Sequence, residues 1–139
     1  MKVSKLIMAW LAGFVAMLLL SGLWYEILMP NVYSAQFATI ERTAPLYTLV
    51  VIGYLMGTFL LAYIYPIGYK GKAPIVEGVK FGVLMGLVIA FPAGLVLYGA
   101  HMVPISVTLL DVLYQVVEKI IGGIIIGLIY GTSVTAETK

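Results

Sequence analysis

The sequence predicts an all-α membrane protein with four transmembrane helices in two antiparallel hairpins. Three observations lead there. Of the 139 residues, 63% are hydrophobic and 10% charged, whereas a soluble domain carries about 25% charged residues. The mean hydropathy is +1.10. Four stretches, about 6–28, 46–66, 79–100 and 106–130, each approach the ~20 apolar residues that a helix needs to cross a hydrocarbon core of about 30 Å. A chain this apolar cannot cover its surface with polar groups in water, so lipid is the expected solvent. Backbone groups in lipid must satisfy one another, which leaves helices or closed barrels. Runs of this length without strict alternation exclude the barrel. The whole chain, 1–139, is expected to be one membrane domain.

Composition also narrows the chemistry. A net charge of +2 without a Lys/Arg cluster gives no footprint for nucleic acid. The absence of cysteine removes disulfides, thiolate metal sites and haem attachment. No nucleophile–base pair, phosphate-binding glycine loop or metal-ligand spacing is visible, so no enzyme, cofactor or metal is expected.

The first stretch, "MKVSKLIMAWLAGFVAMLLLSGLWY", has the outline of a signal peptide, with Lys2 and Lys5 ahead of an apolar run. Residues 6–25 are long enough to span, and no A-x-A-like site follows, so a retained span is expected. Residues 31–44 are expected outside the membrane, as a short surface helix between Pro30 and Pro45. "YKGKAP" (69–74) reads as a turn, and "TSVTAETK" (132–139) as a polar tail. Lys2 and Lys5 precede the first span, and Lys70, Lys72 and Lys80 lie between the second and third. The other side has only Arg42, beside Glu41. The positive-inside rule then puts both termini in the cytoplasm. Trp24, Tyr25, Tyr33 and Tyr98 fall near the outer boundary, and Tyr63, Tyr65, Tyr69 and Tyr130 near the inner one, as aromatic belts do.

The third span carries Gly78, Gly82, Gly86, Ala90 and Gly94, each four residues apart. The second has Gly53 and Gly57, and the fourth has Gly123 and Gly127. Small residues at this spacing let helix backbones approach closely, so all are expected to pack helices. The alternative is a groove that seats a lipid tail, pigment or quinone. Pro92, inside the third span, removes a backbone donor and is expected to kink it. An internal parallel repeat is also open. A shift of 73 carries Ala9, Gly13, Ser21 and Tyr25 onto Gly82, Gly86, Gly94 and Tyr98. A shift of 65 carries Gly57, Ala62 and Tyr65 onto Gly122, Gly127 and Tyr130.

The fourth span, "LLDVLYQVVEKIIGGIIIGLIYG" (109–131), is the unusual one. At helical spacing Asp111, Gln115, Glu118 and Gly122 share an arc of about 60°, with Lys119 at its edge. Leu113, Val117, Ile124 and Leu128 cluster opposite and suit lipid. A charge at the bilayer centre costs about 2.5–3.5 kcal/mol on insertion scales. Three readings of the stripe stay open. Glu118 and Lys119 are satisfied structurally, by each other's field or by outside groups such as Tyr54, Thr58 or Tyr114, since adjacent residues on a helix do not face each other. Or the stripe lines a wet path that relays a proton or holds a cation. Or it binds a partner protein. Glu26 and His101 are outer-rim polar residues. His101 is expected to be interfacial rather than a metal ligand, and Glu26 a solvated anion, with pairing to His101 or Asp111 as the alternative.

With these residues in view, the chain resembles a bacterial family of small four-helix integral membrane proteins of uncharacterised function. The similarity lies in "GLWYEILMPNVYS" (22–34), "GYLMGTFLLAYIY" (53–65), "EGVKFGVLMGL" (77–87) and the fourth-span stretch above. It implies the fold and no activity. The expected role is a non-catalytic accessory or scaffold subunit of a larger membrane complex. Its expected partners are the bilayer and other membrane subunits or further copies of itself. The alternative is a small oligomeric transporter or channel using the polar stripe.

Overall fold

A computed structural model describes residues 2–37 and 44–131. The expectations for Arg42 and Glu41 and for the 132–139 tail lie outside those residues. The described chain is helical, without a strand. Helix α1 (Val3–Gly22) continues into a π-helical segment (Leu23–Leu28), and a short helix α2 (Pro30–Phe37) follows. Three long helices complete the chain: α3 (Tyr47–Gly68), α4 (Pro74–Ala100) and α5 (Ile105–Gly131). Four helical stretches, Val3–Leu28, α3, α4 and α5, are long and apolar enough to cross a membrane, as an integral membrane protein requires.

Local chemistry sets the boundaries. Helix α4 begins at Pro74, earlier than residue 79, because proline suits the first helical turn, where its missing N–H costs nothing. Glu77 in that turn favours the positive end of the helix dipole. Helix α3 continues past its expected end, through Pro66 to Gly68. Pro66 cannot bond the carbonyl four residues back, at Ala62. The Tyr130 hydroxyl donates to that carbonyl instead (3.0 Å). Helix α4 is likewise continuous through Pro92. Between α3 and α4 the chain turns at Gly71, whose φ of 75° suits a residue without Cβ. The Tyr69 hydroxyl closes this turn on the Lys72 carbonyl (2.9 Å).

Helices α4 and α5 run in opposite directions along a seam of small residues. Gly78 lies on Gly123 and Ile124, Gly82 on the Lys119–Ile120 backbone, Gly86 on Val116, and Gly94 on Val112. A methyl at Gly86 would sit 2.7 Å from Val116 Cα. Ala90 is buried in the same row. Gly127 faces the Pro74 carbonyl. Helix α1 lies on the other side of α5, with Met17 over Gly122 and Gly13 over Ile126. It meets α3 through the shared core and through the Trp10 indole, which donates to the Leu55 carbonyl (2.8 Å). Met17, Leu61, Ala62, Tyr65 and Ile126 form the core. Leu113, Val117 and Leu128 are exposed, as a lipid face needs. Ile124 is half-buried instead, because the Gly78 backbone packs against it.

Gly53 and Gly57 differ from the glycines of the α4–α5 seam. A Cβ at either would meet nothing within 4 Å. Among the described residues no helix packs on them, because α3 and α4 diverge. The two helices meet at one end, where the Tyr65 ring stands edge-on to Phe81 (5.1 Å).

A glycine comparison tests the seam. Gly82→Val is expected to cost about 1–3 kcal/mol by overpacking, read as a lowered thermal midpoint in detergent. Gly57→Val, in open space, is expected to leave the midpoint nearly unchanged.

Candidate functional site

The polar residues of α5 face inward, towards α1 and α3. Glu118 is 1% exposed. Its Oε1 accepts from the Tyr54 hydroxyl of α3 (2.9 Å) and from the Tyr114 hydroxyl one turn back on α5 (3.2 Å). Its Oε2 meets the Lys119 ammonium in an ion pair. Neighbouring residues on a helix point about 100° apart, so spacing alone argues against that contact. The four-carbon lysine stem is long enough to overcome it. Thr58 is not a partner of Glu118. Its hydroxyl donates back along its own helix, to the Tyr54 carbonyl (2.6 Å).

Two turns towards the other end, Asp111 has a similar setting. The hydroxyls of Tyr25 (2.6 Å) and Tyr33 (3.1 Å) donate to its Oδ1, and the Gln115 amide donates to Oδ2 (2.7 Å). The π-helical segment explains how α1 supplies this. Its wider turn closes with the Met29 N–H on the Trp24 carbonyl (2.9 Å). Trp24 and Tyr25, adjacent in sequence, then both reach Tyr114. The Trp24 ring stacks on it (centroids 4.7 Å, 8°) and the Tyr25 ring meets it edge-on (5.4 Å, 81°). The Trp24 indole also donates to the Tyr33 oxygen (3.0 Å). The Tyr33 hydroxyl is pushed up to about 12, chiefly by burial and also by the Asp111 charge, with the indole bond acting the other way.

The Glu118–Lys119 pair does not close the bundle. Where α3 and α4 part, a cleft of about 400 Å³ opens sideways. Gly53, Gly57 and Leu61 of α3, Met17 of α1 and Ile89 of α4 line it. Gln115, Glu118 and Lys119 form its back wall. A volume of this order suits a small molecule. On one side the cleft gives way to the packed core around Met17, Leu61, Ala62 and Ile126.

The structure brings Asp111, Gln115, Glu118 and Lys119 together on one face, and Gly53 and Gly57 opposite. It leaves Glu26 and His101 apart. Both are exposed, and among the described residues neither forms an ion pair. Glu26 instead lines a pocket of about 560 Å³ with Tyr33, Phe37 and Asp111. No group of three or more His, Asp or Glu side chains among the described residues could hold a metal ion. Sequence reasoning took Tyr25 and Tyr33 for belt residues and missed them as ligands of Asp111. A signal for Tyr25 was present: Ala9, Gly13, Met17 and Ser21, all buried, recur every fourth residue, and Tyr25 is next in that row.

Two measurements test these bonds. Tyr54→Phe removes a donor to a charged group and is expected to cost about 1.5–3 kcal/mol. Combined with Glu118→Gln it should cost less than the sum of the two singles, as coupled neighbours do; thermal midpoints in detergent report the coupling. For Tyr33, the fold favours the un-ionised hydroxyl. Its stabilising contribution is therefore intact below pH 10 and is lost as pH rises towards 12. Alkaline unfolding followed by tryptophan fluorescence should be less pH-dependent in Tyr33→Phe across that window.

No protein-family model, curated protein or solved structure matches this chain.

Proposed function

We propose that this is a non-catalytic integral membrane protein that holds a small lipid-soluble molecule in the cleft between α3 and α4. The observation that carries this reading is the wall of that cleft. A nearly fully buried carboxylate, its ammonium partner and an amide face an opening of about 400 Å³. Ionisable groups are costly in hydrocarbon and mark functional positions by default. Binding is favoured over conduction because the Asp111–Gln115–Glu118 stripe stops at the packed core around Met17 and Ile126.

Internal symmetry adds support. In the proposed topology, α1 with α3 and α4 with α5 are two antiparallel hairpins related by a parallel repeat. The shift of 73 carries the buried Ala9, Gly13, Met17 and Ser21 onto the buried Gly82, Gly86, Ala90 and Gly94. The shift of 65 carries the buried Thr58, Leu61, Ala62 and Tyr65 onto the buried Gly123, Ile126, Gly127 and Tyr130. Tyr65 and Tyr130 stack (5.7 Å, 19°), and each hydroxyl reaches the position that its counterpart's helix offers, Gly127 and Ala62 respectively. Under that relation the α1–α5 interface corresponds to α4–α3. The first is packed and the second is open, so the cleft lies where the two repeats depart from symmetry. Both termini are proposed to face the cytoplasm of a bacterial inner membrane. Lys5, which donates to the Ile129 and Tyr130 carbonyls, and Pro74 lie against the same end of α5, which gathers the N-terminal lysines and those near the α3–α4 turn on one side.

The accessory-subunit reading has one observation of its own. Gly53 and Gly57, one turn apart and unoccupied, offer close backbone approach to a helix from another polypeptide. The α4 ladder does not, because α5 already fills it. Native mass spectrometry of the mildly extracted protein separates the two. Ligand binding predicts a low-mass adduct that Gly57→Leu removes. Accessory function predicts a second polypeptide, and finding only that would overturn the first reading.

A further inference from the structure

We infer that the occupant of the α3–α4 cleft is an amphiphile with an uncharged, acceptor-bearing head, a ketone or quinone carbonyl, and that the cleft discriminates against carboxylates. This rests on the cleft being a binding site.

Charge balance comes first. At the back wall one cation, Lys119, meets one anion, Glu118. The wall is neutral as it stands. The nearest further charge on the same face of α5 is Asp111, also an anion and held by Tyr25, Tyr33 and Gln115. An anionic head would add a negative charge to a site whose surroundings are already balanced or negative. In a low-dielectric medium that desolvation cost is not recovered without a new cation. A neutral head avoids it.

The inventory of donors and acceptors then fixes the polarity of the head. Glu118 Oε1 already accepts two tyrosine hydroxyls, and Oε2 accepts from Lys119. The Thr58 hydroxyl is turned onto its own helix. Lys119 carries three N–H donors, and among the described residues its ammonium meets Glu118 alone. The Gln115 amide directs one N–H to Asp111 and keeps a second N–H besides its acceptor carbonyl oxygen. The outstanding capacity at the wall is therefore mostly donors. A carbonyl oxygen complements them without bringing a charge. Opposite, the bare backbone at Gly53 and Gly57, with nothing within 4 Å of either Cβ position, leaves a flat floor for a ring, and Leu49, Val50 and Ile89 surround it with apolar contact.

The test uses the full chain in lipid nanodiscs, with empty nanodiscs as background. The probes are a decyl-substituted benzoquinone and dodecanoate, both radiolabelled. The quinone is expected to bind saturably, one per chain, and at least about tenfold more tightly than dodecanoate, a difference of ~1.4 kcal/mol. Gly57→Leu fills the cleft without touching the ion pair and is expected to weaken the quinone by at least about tenfold. Lys119→Met should do the same, with helix content checked by circular dichroism. If Lys119→Met does not fold, Gly57→Leu and the probe comparison still decide. Dodecanoate binding more tightly than the quinone, and lost in Gly57→Leu, would overturn the neutral-head assignment while leaving the cleft as a site. Absence of saturable binding by either probe, or quinone binding unaltered by Gly57→Leu, would overturn both.

Discussion

A carboxylate buried in a bundle that lies in hydrocarbon must be given partners by the same bundle, and this requirement organises the fold. Glu118 cannot draw on water, and an unpaired buried charge would cost several kcal/mol. Tyr54 comes from α3, Tyr114 and Lys119 from α5. The α3 contribution requires α3 to lie beside α5. That placement is secured from α1, through the Trp10 bond to Leu55, and from the far end, where Tyr130 occupies the carbonyl freed by Pro66. Proline in α3 and tyrosine in α5 thus form a second polar tie between the same two helices.

The small residues have two separate roles. Along α4 they bring two backbones together. Van der Waals contact there replaces the hydrophobic drive that is absent between helices in lipid. On α3 the same residue type, at the same spacing, does the reverse: Gly53 and Gly57 leave volume unfilled in front of Lys119. The close α4–α5 seam and the open α3–α4 gap are complementary. α4 lies so tightly on α5 that it cannot also cover α3. The polar wall is therefore held rigidly from one side and reached from the other.

Much of this was legible in the residues. Long apolar runs specify the spanning helices because the bilayer fixes their length. The 100° step of a helix puts Asp111, Gln115 and Glu118 on one face whatever packs against it. Proline and glycine mark the α3–α4 turn. Less legible were side chains whose reach exceeds their spacing. Lys119 contacts its sequence neighbour because its stem is long, and Trp24 and Tyr25 both reach α5 because a π-helical turn alters the local rotation. Glu26 and His101, plausible as a rim pair, remain separate because nothing in the packing brings them together.

The sequence by itself determined the solvent, the helices, their polar and small faces, and the need to neutralise Glu118, since these follow from composition and helical periodicity. Only the tertiary structure decided which glycines meet a neighbour and which face a void. GxxxG has the same meaning on every helix until another helix is, or is not, placed beside it. The partners of Asp111 and Glu118 were likewise decided there, because a tyrosine at a membrane boundary and a tyrosine binding a carboxylate differ only in what lies across from them.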